Sequence, residues 1–365
     1  MEAGFSYTFP AIRGIQAERE YYVTMCPMRL LPKVFLFNED EMVPELRAQR
    51  MLNKGRLPEM ANYVLNNRDN YVFSAITASL DGDVRFDPVE NGAPNQNMGT
   101  LHVDMNARFI INDGQHRRAA IEMALKEKPE LADETVAVVF FIDHGLERCQ
   151  QMFADLNRHA VRPSTSLGVL YDHRDDMAKL VRAVVSKSPV FRDVVELERS
   201  SLALRSRKLF TLSAIFNATK ALIAGMDDVE PEDLAKLGVS FWEEVAKQFP
   251  EWQAVRNGKM TAREIREQFI HSTGIVLQAI GRAGNAALTR KPKDWKKHVR
   301  KLGKIDWRRE NAELWEGRAM SGGRLVKAGH HVTLTTNAIK QAIGLPLGPD
   351  EKRVEAAFKR GEYVK

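Results

Sequence analysis

The run from Glu134 to Asp143 constrains the fold more than any other segment, because Val136, Val138, Val139, Phe140, Phe141 and Ile142 make it nearly continuously apolar. Such a run is expected of a β-strand buried on both faces, which requires one layer above the sheet and another below it. The flanking segments fit an α/β arrangement. Residues 21–24 and 33–37 read as short strands or strand ends, and 72–78 and 99–103 as two strands of one sheet. The Gly-, Pro- and Asn-rich stretch 81–98 between them reads as a loop. Leu46, Met51 and Leu52 predict a helix over 45–53, and Met60, Tyr63, Val64 and Leu65 another over 57–66, separated by Gly55. A further helix is expected over 145–157.

Beyond Pro163 nearly everything reads as helix, including 167–186, 209–224, 231–249 and 262–287. The pattern predicts an α/β domain over residues 1–163 and a mainly helical domain over 164–365. With 365 residues and 44% hydrophobic content the chain can bury at least one full core without staples. Cys26 and Cys149 lie far apart in no metal-binding spacing, so neither a disulfide framework nor a zinc site is signalled. No leader and no stretch long enough to cross a bilayer is found, so a soluble, cytoplasmic protein is expected.

The chemistry concentrates where the strand-like Arg108-Phe109-Ile110-Ile111 meets Asn112-Asp113-Gly114, with a helix-like segment over 118–126 beyond it. A strand, tight turn and helix in succession leave backbone N–H groups free at the helix start, and glycine permits close approach, so the turn can hold an anion. His116, Arg117 and Arg118 add cationic donors at a helix end that disfavours cations, which calls for an outside anion or acidic neighbours. The residues alone leave two readings open. Phosphate is the natural anion; equally, Asp113-Gly114 can be a plain turn, with Arg117 paired to a carboxylate and His116 satisfied in the core.

The overall charge is +6, but its distribution says more. Residues 290–309 hold ten Lys or Arg against two acids, a local +8 that leaves the remainder at −2. Within that run Trp295, Val299 and Leu302 make one apolar helical stripe, while Lys293, Lys296, Lys297, Arg300, Lys301 and Lys304 lie off it. A helix docked by tryptophan would present these cations to successive backbone phosphates of double-stranded DNA. The competing reading is a solvated helix whose charges serve solubility.

Asp113-Gly114-Gln115-His116-Arg117 spells the signature of the DGQHR family, and the surrounding chain resembles that family over most of its length. Gln49-Arg50, Arg56, the segment from Phe153 to Asn157, Ile305-Asp306-Trp307 and Trp315 resemble the DndB-type proteins, regulators of operons that place phosphorothioate groups in the DNA backbone. The resemblance implies a fold related to the ParB/sulfiredoxin superfamily, whose members bind a nucleotide at a similar strand–turn–helix. It implies a nucleoside triphosphate pocket, with Mg²⁺, formed by Gly114, Gln115, His116 and Arg117 on the phosphates and by Asn157 and Arg158 nearby. Gln115 stands where sulfiredoxin has its cysteine, so thiol–phosphoryl chemistry is not expected. Asn157-Arg158 also reads as a helix C-cap and a solvated arginine.

Three functions follow as expectations. The first is a DNA-binding transcriptional regulator of a phosphorothioation operon, acting on promoter DNA and other modification proteins, alone or as a homo-oligomer. The second is a ParB-like nucleotide hydrolase or DNA-nicking enzyme using Asp113, His116 and Arg117. The third is a non-catalytic subunit of the modification machinery. For groove reading, helices over 211–224, preceded by Arg205, Arg207 and Lys208, and over 335–343, capped by Thr335 or Thr336, are candidates, although packing is the expected role of both. Trp242, Trp252, Trp307 and Trp315 are expected as core anchors, and His330-His331 as loop. Asp113, Asp143 and Asp155 are the carboxylates available for a metal, without a spacing that establishes one. No Walker A, His-Glu-x-x-His or Gly-x-Ser-x-Gly pattern is present.

Overall fold

The computed structural model describes residues 5–35, 54–90, 95–144, 148–158, 163–326 and 329–362, apart from the side chains of Lys54, Gln150, Asn157 and Arg158. The helix expected over 45–53, with Gln49 and Arg50, lies outside the described residues. The chain divides into two units, Met1–Val161 and Arg162–Lys365.

In the first unit β1 (Ser6–Gln16), β2 (Arg19–Pro27), β3 (Ile76–Asp81), β4 (Val84–Pro88), β5 (Met98–Asp104), β6 (Arg108–Asp113) and β7 (Thr135–Ile142) form one sheet. Their order is β4-β5-β1-β2-β7-β3-β6, with β3 and β7 parallel and the other neighbours antiparallel. The face bearing Phe9, Ala78, Phe109, Val138 and Phe140 packs against α1 (Leu57–Asn66), α2 (Gln115–Glu127) and the segment ending in Phe35. Phe9, Phe35, Phe109 and Phe140 meet there with ring centroids 5.7–6.2 Å apart, a spacing that suits edge and offset contacts. Near β3 and β6 the opposite face carries α3 (Cys149–Arg158), under which Asn112 is buried.

Several expectations need correction. The apolar run over 134–143 is strand β7, yet Val136, Val138 and Phe140 are buried while Ala137, Val139 and Phe141 are only half-buried. Full cover lies on one face, since the sheet is mostly antiparallel and does not gain a helix on each side from repeated crossovers. Lys33 and Val34 belong to a helical turn, Leu31–Val34, which Pro32 opens at the position where its missing N–H costs nothing. The strand expected over 72–78 starts only at Ile76, because the Val72 N–H is taken by the Tyr63 hydroxyl at 2.9 Å. Strand β4 occupies part of the expected loop over 81–98.

The second unit is built on α4 (Asp176–Lys187), α5 (Leu212–Leu222), α6 (Pro231–Ala246), α7 (Gly274–Arg290), α8 (Trp295–Arg300), α9 (Gly329–Ala342) and α10 (Pro349–Lys359). Trp242, Trp252, Trp307 and Trp315 are buried in its core. Helices α5 and α7 touch backbone to backbone at Gly281, where an added Cβ would lie 2.1 Å from the Ala218 carbonyl oxygen. The neighbours Gly274/Ala214, Gly281/Ala218 and Gly284/Leu222 advance together, so the two helices run in the same direction.

The helix expected over 167–186 is broken into Thr165–Tyr171 and α4, because the Asp175 carboxylate accepts from the Met177 and Ala178 N–H groups and starts a new helix. That expected over 262–287 is broken into Ala262–Gln268 and α7, the Ile270 N–H bonding instead to the Trp307 carbonyl at 3.0 Å. Thr335 and Thr336 are not caps. They lie inside α9, donating to the His331 and Val332 carbonyls at 2.7 Å, and His330-His331 belongs to that helix rather than to a loop.

Candidate functional site

Strand β6 delivers Asp113 to the sheet end, Gly114 turns the chain with φ 109°, and α2 starts at Gln115. The positive φ accounts for the glycine. A Cβ there would also meet the Arg117 guanidinium and the Ile76 side chain, both at 3.0 Å. Arg117 lies folded over Gly114, donating to the Asp113 carboxylate at 2.6 Å and to the Ser74 hydroxyl. Its Nε is buried without a hydrogen-bond partner among the described residues. Gln115 is 8% exposed and turned inward, its amide reaching back to the Ile111 carbonyl at 3.2 Å. Arg118, equally buried, holds Glu122 at 2.6 Å and the Pro32 carbonyl at 3.2 Å.

Asn112 is the hub beneath this turn. Its amide nitrogen donates to the Ser79 hydroxyl at 2.8 Å, and its carbonyl oxygen accepts from the Cys149 thiol at 2.7 Å, tying β6 to β3 and α3. A buried amide satisfied on both ends fixes the geometry of what it connects. Of the signature residues, His116 stays half-buried at the surface, where burial, then the charges of Arg56 and Arg117, hold its pKa below the ordinary value against the pull of Asp113. The imidazole is therefore neutral at neutral pH, beside two cations.

The described members of the expected nucleotide-holding set, Gly114, Gln115, His116 and Arg117, stand together at this turn. Gln115 and Arg117 spend their donors inside the protein, and the side chains of Asn157 and Arg158 lie outside the described ones. Asp113, Asp143 and Asp155 do not converge, and the described residues contain no group of three metal-ligating side chains. Asp113 is held by Arg117, buried Asp143 accepts from the Arg148 N–H at 3.1 Å, and exposed Asp155 pairs with Gln151. Burial raises the Asp143 carboxyl, and it pushes the Cys26 thiol up to about 12, so Cys26 stays a protonated core residue.

The basic segment behaves differently. Helix α8 docks through Trp295, whose ring centroid lies 5.9 Å from that of Phe241, and through buried Val299; Leu302 follows in the next helical turn and is also buried. Its cations differ in what they touch. Arg300 bonds the buried Glu244 carboxylate at 2.7 Å, Lys301 is half-buried, Arg308 is paired with Asp306 and Glu310, and Arg309 is turned into the unit. Lys293, Lys296, Lys297 and Lys304 are exposed, Lys296 lying over the Trp295 ring at 5.4 Å and Lys297 reaching the exposed Asp294 at 3.4 Å. In this segment Arg300 and Arg308 are exposed but engaged with carboxylates, as a planar guanidinium favours, while Lys293, Lys296 and Lys304 form no ion pair among the described residues. Sequence order alone did not separate the two sets.

Helix α5, a candidate groove reader, has its N-cap Thr211 accepting from the Ala214 N–H, but Leu212, Ile215, Ala218 and Leu222 bury it in the core. Among the described residues no helix is long and apolar enough to cross a membrane. A family model described as DndB, DNA-sulfur modification-associated, matches residues 9–346, nearly the whole chain and both units. No curated protein and no solved structure matches it.

Proposed function

The chain belongs to the DndB family, associated with DNA sulfur modification, and from that premise we propose that it is a cytosolic, DNA-binding transcriptional regulator of a phosphorothioation operon. The observation that carries the reading is the row of exposed lysines Lys293, Lys296, Lys297 and Lys304, anchored by Trp295, in which only Lys297 meets a carboxylate among the described residues, that of exposed Asp294 at 3.4 Å. Exposed lysines held on a packed scaffold contact backbone phosphates and supply affinity that declines with salt. A kinship of the first unit with the ParB/sulfiredoxin superfamily belongs to the same proposal, supported by the strand–turn–helix with Gly114 at its bend.

The test is a titration of the purified chain with duplex DNA from the promoter of its own operon and with random duplex of equal length, at physiological salt. Promoter binding on the order of 10⁻⁸ M and at least 10³-fold weaker binding to random DNA are expected. Equal affinity for both duplexes overturns the regulator reading. A second reading, a nucleotide hydrolase or nicking enzyme, is favoured by one observation, the neutral His116 beside Arg56 and Arg117. It requires turnover of nucleotide or nicking of DNA that His116→Ala abolishes without unfolding the chain. No turnover with any of the four nucleoside triphosphates, with or without DNA and Mg²⁺, would sink it.

A further inference from the structure

Within the second unit a cavity of about 460 Å³ opens between the N-terminal ends of α5 and α7. That volume falls in the range of small-molecule sites. The ends of both helices line it, through Ser213 and Ala214 of α5 and Gly274 and Ile275 of α7. Because α5 and α7 run in the same direction, their positive dipole ends add at this place rather than cancel. Thr211 caps α5, but no side chain caps α7, whose N-cap Thr273 donates its hydroxyl to the Ile270 carbonyl at 2.6 Å instead. A 17-residue helix thus begins at a cavity with no side-chain acceptor on its first N–H groups among the described residues.

Three further observations point to a ligand. Ser272 lines the cavity, is only 5% exposed, and its hydroxyl has no hydrogen-bond partner among the described residues. Arg309 also lines it, with a buried Nε that is likewise unpartnered, and it forms no salt bridge among the described residues. Arg266, also in the lining, bonds the backbone carbonyls of Ala203, Leu204, Ser206 and Lys208 and forms no ion pair among the described residues, although the charge of Glu267 acts on both Arg266 and Arg309. No acidic residue is among the described residues that line the space. A donor left unpaired in a buried position is costly. Here a hydroxyl, a guanidinium edge and a helix start leave theirs unpaired around one cavity.

We propose that this cavity binds a small phosphomonoester of mononucleotide size, its phosphate held by Ser272, Arg309 and the first N–H groups of α7, and its organic part resting on Leu325 and Val332. A tetrahedral oxyanion accepts from all three donor types at once. The site is separate from the lysine row, and it assigns Arg309, the last cation of the basic segment, to a ligand other than DNA.

The experiment is calorimetric titration of the full chain with thymidine 5′-monophosphate, inorganic phosphate and thymidine, with melting curves in parallel. Saturable one-to-one binding of the monophosphate, weaker binding of phosphate and none of thymidine are expected. Arg309→Gln should weaken monophosphate binding at least tenfold. Ser272→Ala, a smaller change in case the first variant does not fold, should weaken it several-fold at an unchanged melting temperature of the free protein. Simultaneous Lys293→Gln, Lys296→Gln, Lys297→Gln and Lys304→Gln should leave it intact. The proposal is overturned if neither phosphate nor the monophosphate binds, if a folded Arg309→Gln or Ser272→Ala chain binds as tightly as the parent, or if the lysine changes abolish binding. Each outcome is independent of promoter preference, so this inference and the regulator reading fail separately.

Discussion

The turn at Asn112–Arg118 and the segment 290–309 are both basic, yet the fold treats their charge in opposite ways. At the turn Arg117 is folded over Gly114 onto Asp113, Arg118 is buried against Glu122, and Gln115 is bonded to the strand it follows. In the segment five lysines, Lys291, Lys293, Lys296, Lys297 and Lys304, stand in solvent on a helix and its flanks that tryptophan and two aliphatic side chains hold in place. Charge density is therefore a poor guide to charge availability. What decides it is whether a carboxylate or carbonyl has already been brought within reach.

The comparison can be broken most sharply at Gly114. Replacing it with alanine forces a side chain into left-handed backbone and against Arg117 and Ile76, which should cost about 2–3 kcal/mol in urea unfolding. A loss below about 0.5 kcal/mol would mean that the turn is not under the constraint described. Next comes Arg300→Ala, which removes one of two cations from the buried Glu244 carboxylate, leaving Lys247 at 3.0 Å. About 1–2 kcal/mol should be lost, with little effect on DNA affinity. A large affinity loss at unchanged stability would return Arg300 to the DNA-contacting row. Arg117→Gln should cost about 1 kcal/mol, because Asp113 is half-exposed and water replaces part of the pair. Its DNA affinity should stay within twofold, and a tenfold drop in a stable protein would make the turn a phosphate site after all.

Much of this was legible in the sequence for stated physical reasons. Helix α1 and strand β5 carry clear periodicity, β7 is marked by its apolar run, and the tryptophans are large enough that burial is their default. Strand β1 was not legible. Pro10 and Gly14 interrupt its alternation, and its hairpin to β2 turns through Ala17 and Glu18 at φ 50° and 62° without the asparagine or glycine that announces such a turn. Pro10 is tolerated in an interior strand while the Thr24 hydroxyl donates to its carbonyl at 2.7 Å. The signature at Asp113–Arg117 identified the family but not the inward orientation of Gln115 and Arg117, since Ser74 and Ile76, which receive and pack Arg117, come from a distant segment. The cavity at Ser272 was hidden for a related reason. Its donors come from the break between two helices that the pattern joins into one, and from Arg309, which in the sequence is one of ten cations in the run 290–309.

The claim that the exposed lysines, and not the signature turn, supply the DNA affinity is tested most directly by salt dependence. The observed binding constant for random duplex is to be measured from low to physiological salt, for the parent chain and for the chain with Lys293, Lys296, Lys297 and Lys304 all changed to glutamine. Each phosphate contact contributes about 0.9 to the logarithmic slope, so the variant should lose roughly 3–4 units of slope and, at physiological salt, on the order of 10²–10³-fold in affinity, with an unchanged melting temperature. An unchanged slope and affinity in the folded variant would contradict the account.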